Sequence, residues 1–175
     1  MKIKIIIPAR YNSSRFPGKP LVDLNGRSMI RRVWDKATIA LNYEDVYIAT
    51  DSKLIFDHSK KFTDNVIMTS IKCPTGTDRI ADCINKIPPT DIFINIQGDE
   101  PLIDPKDIKL LIKNIKREPM TIYNFMKKIN SLSELKSTDI PKVITDENNN
   151  LLYMTRLPSP YKINHKKAFK QVCIY

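Results

Sequence analysis

The chain has 175 residues, a formal net charge of +10 from 29 Lys+Arg against 19 Asp+Glu, and 42% hydrophobic residues. That balance suits one globular domain with a proper core, and no apolar run reaches the ~18 residues of a membrane span. Cys73, Cys83 and Cys173 are odd in number and contain no C-x-x-C pair, which excludes a disulfide framework and a cysteine zinc site. His58 and His165 stand in polar surroundings without metal-ligand spacing, and both are expected to be surface residues.

The elements are read in chain order. Lys2–Ile7 is a nearly continuous apolar strand, typical of a sheet buried on both faces. Its apolar run is short and broken by Lys4, so it is a strand rather than a leader peptide. With no leader, the expected location is the cytoplasm. Ser28–Leu41 has apolar residues at helical spacing, Met29, Ile30, Val33, Trp34, Ala37 and Leu41. Asp45–Thr50 is a second strand, a helix runs on from Asp51-Ser52 through Lys61, and Asn65–Thr69 is a short third strand. Gly76–Ile87 is a helix closed by Pro88-Pro89, Asp91–Ile96 a strong strand, and Pro105–Lys116 a helix. The lysines of KDIKLLIKNIKR recur opposite Ile108, Leu111, Ile112 and Ile115. They form the solvated face of an amphipathic helix, so the positive charge does not by itself indicate nucleic acid. An acidic small substrate accounts for it equally well.

Alternating strands and helices predict a Rossmann-like α/β fold, with a mostly parallel sheet and helices on both faces. From Met120 the rhythm changes. Short strands are predicted at Met120–Phe125, Lys142–Thr145, Leu151–Met154 and Phe169–Tyr175, with a hairpin turn at DENNN, 146–150. They make an antiparallel extension in the second half.

The chemistry concentrates in three segments and a fourth, weaker one. The first strand opens into PARYNSSRFPGKPL, which places Arg10, Arg15 and Lys19 among turn and hydroxyl residues. Two guanidinium groups and an ammonium at a strand's carboxyl end form a grip for a polyphosphate. Pro20 after Gly18-Lys19 rules out a Walker helix, and no G-x-G-x-x-G fingerprint exists. CPTGTDRIAD, 73–82, puts Thr75 and Gly76 at a helix start, where backbone can approach a nucleotide. Arg79 there can reach a base or phosphate, although TGTDR is also a plain capping sequence. NIQGDEPLI follows the Asp91–Ile96 strand and exposes Asp99 and Glu100, hard carboxylates of the kind Mg²⁺ takes beside a triphosphate. YMTRLPSPYK carries Arg156, whose fork suits a carboxylate.

Together with NGRSMIRRVWDKA, these segments resemble the 3-deoxy-manno-octulosonate (Kdo) cytidylyltransferases, nucleotide-diphospho-sugar transferases in fold. The resemblance implies transfer of CMP from CTP to an acidic sugar, with release of pyrophosphate, for lipopolysaccharide or capsule synthesis. It implies that Arg10, Lys19 and Asp99 are catalytic, with Asp99 on Mg²⁺. CTP would be held by Pro8, Ala9, Arg10, Arg15, Lys19, Thr75, Gly76, Arg79 and Gln97. Gln97, Arg156 and Tyr175 would meet the sugar. Residues 1–175 would form a single domain, with 1–118 its nucleotide half and 119–175 the start of its sugar half. The protein would be a homodimer, with no nucleic-acid or membrane partner.

The family's stretch before Ile-Tyr has a histidine and a glycine, where this chain has Gln171 and Cys173. The family's second metal-binding aspartate falls past Tyr175. The chain is thus expected to be cut short relative to the family, inside a strand whose Val172 and Ile174 form an edge open to pairing. Two readings stand beside this one: a cytidylyltransferase for a nonulosonate-type sugar acid, and a non-catalytic nucleotide-binding domain.

Overall fold

The computed structural model describes residues 1–13, 16–160 and 163–175. They divide into two compact units, Met1–Thr121 with Ile174–Tyr175, and Ile122–Cys173.

The first unit is built on four parallel strands: β1 (Ile3–Ala9), β2 (Val46–Thr50), β3 (Val66–Met68) and β4 (Ile92–Asn95). Their order is β3-β2-β1-β4, so β1 is central and every one of its residues is buried. Burial on both faces explains its apolar run, which only Lys4 interrupts. Ile6 turns to one face and packs with Tyr47, Ala49, Ile80, Cys83 and Ile87. Ile5, Ile7 and Ile48 turn to the other and are 0% exposed. α3 (Gly76–Cys83) covers the first face; α1 (Met29–Ala40) packs on β1 and β2 from the second, with α2 (Lys53–Ser59) and α4 (Pro105–Arg117) beside it. Lys4, the polar member of β1, donates to Asp45 Oδ1 at 2.9 Å and lies over the Tyr47 ring. Burial acts to lower its pKa, but these partners outweigh it and the net shift is upward.

Helix ends follow their local chemistry. Ser28 caps α1 by accepting from Arg31 N, and Asp104 caps α4 ahead of Pro105. His58 is not the surface residue expected. It is half-buried, 2.7 Å from Ser28 Oγ and edge-on to Phe62. Burial, then Lys61, lowers its pKa. The helix read on to Lys61 stops at Ser59, and the one read on to Ile87 ends as a 3-10 turn, Ile84–Lys86.

The second unit is an antiparallel sheet of β5 (Phe125–Lys128), β6 (Lys142–Thr145), β7 (Leu151–Thr155) and β8 (Phe169–Val172), in the order β5-β8-β6-β7. The strand expected at Met120–Phe125 instead begins at Phe125. Met120 and Ile122 are 96% and 88% exposed, with nothing to bury their apolar side chains against. A short helix, α5 (Leu132–Lys136), intervenes, its start capped by Ser131. Lys142 is 1% exposed and donates to the carbonyls of Ser137, Ile140 and Arg156.

The strand expected over Phe169–Tyr175 splits. Phe169–Val172 stays in the antiparallel sheet, while Ile174 bridges Ile96 beside β4 in the first unit. Ile174 is 0% exposed, so the open edge anticipated at Val172 and Ile174 is closed there.

Candidate active site

A cleft of about 340 Å³ opens at the carboxyl ends of β1 and β4, where open α/β sheets take their ligands. Pro8, Ala9, Arg10 and Lys19 come to it from the loop after β1, joined by Asn12, Ser13 and Pro20. Gly76 and Arg79 enter from α3, and Gln97, Gly98 and Asp99 from the loop after β4. Three sequence segments separated by about 60 and about 20 residues thus meet in one place. Arg15 lies outside the described residues.

Backbone geometry explains the convergence. Gly18 sits at φ +73°, left-handed space open to glycine, and its N–H donates to the Tyr11 carbonyl at 2.8 Å. That closes the cation loop and starts the 3-10 turn that carries Lys19. Gly98 lets the ends of β1 and β4 come together: a Cβ there would lie 2.9 Å from the Pro8 carbonyl oxygen. Thr75 caps α3 in a full capping box, its side chain accepting from Asp78 N while Asp78 accepts from Thr75 N. The segment therefore caps a helix and lines the cleft at once, through Gly76.

The charged groups are already arranged. Lys19 Nζ lies 2.7 Å from Asp99 Oδ2, with both side chains partly exposed, at 35% and 48%. Arg10 donates to the Pro74 carbonyl at 2.9 Å, which draws the α3 approach toward the cation loop. Arg79 is 0% exposed, with one terminal nitrogen on Thr69 Oγ1 and the other 2.7 Å from Asp51 Oδ2. It ties the ends of β2 and β3 to α3, so the guanidinium read as reaching a base or phosphate already holds protein partners.

Gln97 donates from Nε2 to Asn95 Oδ1 at 2.9 Å and lies 3.4 Å from the Tyr175 hydroxyl. Tyr175 also approaches Thr77 Oγ1 at 3.4 Å. Arg156, in the second unit, donates to the Thr138 carbonyl at 2.8 Å. Sequence reasoning gave no role to Asn95 or Thr77. Both lie inside the quoted motifs, and Asn95 shares a strand face with Gln97 at spacing two, a signal present in the sequence.

No group of three or more His, Cys, Asp or Glu among the described residues could cage a metal. Asp99 offers one half-exposed carboxylate beside the Lys19 ammonium. That donor set fits Mg²⁺, which takes one or two carboxylates and completes its shell with phosphate oxygens and water. Cys73, Cys83 and Cys173 form no disulfide, and burial pushes the Cys83 thiol up to about 11, an unreactive group. No helix among the described residues is long and apolar enough to cross a membrane.

Comparison with known proteins shows the family. The Cytidylyltransferase family model matches residues 4–175. The 8-amino-3,8-dideoxy-manno-octulosonate cytidylyltransferase of Shewanella piezotolerans is 40% identical over 167 residues, 92% of this chain and 67% of that protein. The 3-deoxy-manno-octulosonate cytidylyltransferase of Protochlamydia amoebophila is 37% identical over 97% of this chain and 66% of that protein. The chain thus spans about two thirds of the length of these relatives. Among solved structures, a CMP:2-keto-3-deoxy-manno-octonic acid synthetase complexed with CTP superposes with a TM-score of 0.84 at 35% identity, over 99% of this chain and 73% of that one. A cytidylyltransferase from Leptospira borgpetersenii, 23% identical with a TM-score of 0.60 over 75% of this chain and 56% of its own, shares the fold. Matched almost from end to end, the chain belongs to the cytidylyltransferase family.

Proposed function

We propose that this chain transfers CMP from CTP to a 3-deoxy-octulosonate sugar acid, releasing pyrophosphate. The observation that carries the reading is the convergence of Arg10, Lys19, Gln97 and Asp99 in one cleft, in a chain about two fifths identical to enzymes named for this transfer. The sugar's anomeric hydroxyl oxygen bonds to the α-phosphorus, the bond from that phosphorus to the bridging oxygen of pyrophosphate breaks, and the hydroxyl proton passes to solvent. Positioning and charge neutralisation supply most of the rate in such reactions.

Arg10 and Lys19 hold the triphosphate and neutralise the departing pyrophosphate. The sequence offers Arg15 as a third cation for the same grip. Pro8, Ala9, Thr75 and Gly76 present backbone to the nucleoside, and Arg79 stiffens that wall. Gln97 and Tyr175 are the residues of this cleft for the sugar, and Arg156 is a candidate for a carboxylate by the chemistry of its fork alone. Mg²⁺, when bound, offsets phosphate charge. Asp99 would be the residue to hold that cation, and Lys19, 2.7 Å from Asp99 Oδ2, stands beside it to take phosphate.

Two relatives at comparable identity are named for sugars that differ at carbon 8, one hydroxylated and one aminated, so the substrate class is the octulosonate and either group at carbon 8 is in scope. A second copy of the chain is the expected partner. β7 is the edge of its sheet and bares Leu152 and Tyr153, at 61% and 49% exposure, with Leu157 beyond it at 65%. Such an edge is a template for pairing. The cytoplasm is the proposed location and the lipopolysaccharide or capsule pathway the proposed setting.

The test is pyrophosphate release from CTP with Kdo, its 8-amino analogue and a nonulosonate in parallel. Release with either octulosonate and little with the nonulosonate is expected. Release with the nonulosonate alone moves the substrate to the other sugar class, and none with any acid leaves a binding domain.

A further inference from the structure

Gln97 is held more tightly than a ligand-facing amide needs to be. Its two Nε2 hydrogens point to Asn95 Oδ1 at 2.9 Å and toward the Tyr175 hydroxyl at 3.4 Å. Its other side abuts Gly76, where a Cβ would come 3.1 Å from Nε2. Asn95 is itself pinned through its backbone to Tyr175. Its N–H donates to the Tyr175 carbonyl at 2.5 Å, and its carbonyl accepts from Tyr175 N at 3.2 Å. It is 3% exposed, and its Nδ2 is buried with no partner among the described residues. A buried orphan donor is expensive. Asn95 therefore stands at a position where an apolar residue would be more stable, and what its side chain contributes is the oxygen that Gln97 donates to. With both Nε2 hydrogens turned inward, Gln97 Oε1 accepts from no donor among the described residues.

We propose that Asn95 is a positioning residue that holds the Gln97 carboxamide with its carbonyl oxygen toward the cleft, so that the site reads a hydrogen-bond donor on the ligand. The inference rests on the transfer reaction proposed above and sharpens it. The donor is a hydroxyl of the sugar acid; the exocyclic amine of cytosine has the same chemistry. Asn95 touches neither ligand and acts only through Gln97.

Three variants test this: Asn95→Leu, which removes the oxygen and the orphan donor together; Asn95→Asp at pH 8, which keeps an acceptor and no donor; and Gln97→Ala. Asn95→Leu should raise KM for the sugar acid about tenfold, the worth of one hydrogen bond of ~1.4 kcal/mol. It should leave kcat and the CTP-induced shift in melting temperature nearly unchanged. Asn95→Asp should recover most of the loss, and Asn95→Leu added to Gln97→Ala should cost nothing further. A CTP shift reduced in Asn95→Leu with the sugar KM unchanged would keep the positioning role and assign the donor to cytosine. The proposal is overturned if Asn95→Leu is as costly without Gln97 as with it, if it leaves both ligands unaffected, or if Asn95→Asp folds yet behaves like Asn95→Leu, since Gln97 would then present nitrogen. Absence of pyrophosphate release by the wild-type chain would sink the transfer reaction instead, and this proposal would then be decided by the melting-temperature shifts that the sugar acid and CTP each give with the same variants.

Discussion

The two units of this protein use different means to hold their loops in place. In the parallel-sheet unit, β1 is buried along its whole length and its Ile5, Ile6 and Ile7 are 0% exposed. The cation loop hangs from a rigid strand, and short backbone contacts at Gly18 and Gly98 set its course. The antiparallel unit has a small core of Ile129, Leu135, Ala168 and Ile163, and holds its loops with polar links. Lys142 gathers three carbonyls, one of them from Arg156 itself, and Lys170 pairs with Glu134 at 2.6 Å. Packing in one unit and hydrogen-bonded charge in the other imply different sensitivities to mutation and to pH.

The comparison breaks most easily at the cleft. Lys19→Ala or Asp99→Asn should lower turnover by about 10²–10³-fold, the usual cost of one preorganised group that meets transition-state charge. Both should leave the melting temperature within a few degrees, because an exposed pair stabilises little. Lys113→Ala, on the solvated face of α4, should stay within about twofold. Initial rates at saturating CTP check all three, and a strong Lys113 effect would revive the nucleic-acid reading.

Backbone packing is the next target. Gly98→Ala would set a methyl carbon 2.9 Å from the Pro8 carbonyl and 3.2 Å from Ile30 Cδ1. A strand end cannot yield as a flexible side chain can, so overpacking should cost about 1–3 kcal/mol. That corresponds to a fall of several degrees in melting temperature for a chain this size.

In the second unit, Leu152→Lys should convert a dimer to a monomer in solution, read as molecular mass, with the melting temperature little changed. Leu152 is already 61% exposed, so its removal opens no cavity. An unchanged mass would move the partner surface away from β7.

The smallest effect is on pH. Glu134 is held below its ordinary 4.5 by the Lys170 hydrogen bond, then by Asn130 N. Asp146 is held below its ordinary 3.8 by the side chain and backbone of Asn150. Depressed carboxylates stabilise the fold above their ordinary values, and that share is lost as pH falls through the lowered ones. Wild-type stability should therefore drop more steeply below about pH 4.5 than that of Glu134→Gln, by denaturant titration.

The legibility of the sequence follows the same division. β1, β2 and β4 were readable because burial on both faces leaves a run of apolar residues with little else to become. The segments of the cleft were readable because PARYNSSRFPGKPL and QGDEP follow β1 and β4 directly, and TGTDR carries a capping pattern at the start of α3. Three things were not. The exposed Met120 and Ile122 mimic a strand by composition alone. α5 is a single turn and a half, announced by the Ser131-x-x-Glu134 spacing of a cap and too short to show a period. The bonds of Arg79 to Asp51 and Thr69, and of Lys142 to three carbonyls, depend on which loops the fold brings near, and the local sequence holds no trace of them.

Calorimetric titration of the four nucleoside triphosphates, with Mg²⁺, into the wild-type chain and into Lys19→Ala tests the central claim most directly. The account predicts that CTP binds more tightly than ATP, GTP or UTP. In Lys19→Ala all four should weaken by about tenfold or more while the order stays the same, because the proposed grip of Lys19 is on phosphates that all four share. Equal affinity for all four nucleotides, or a Lys19→Ala chain that binds CTP as wild type does, would contradict it.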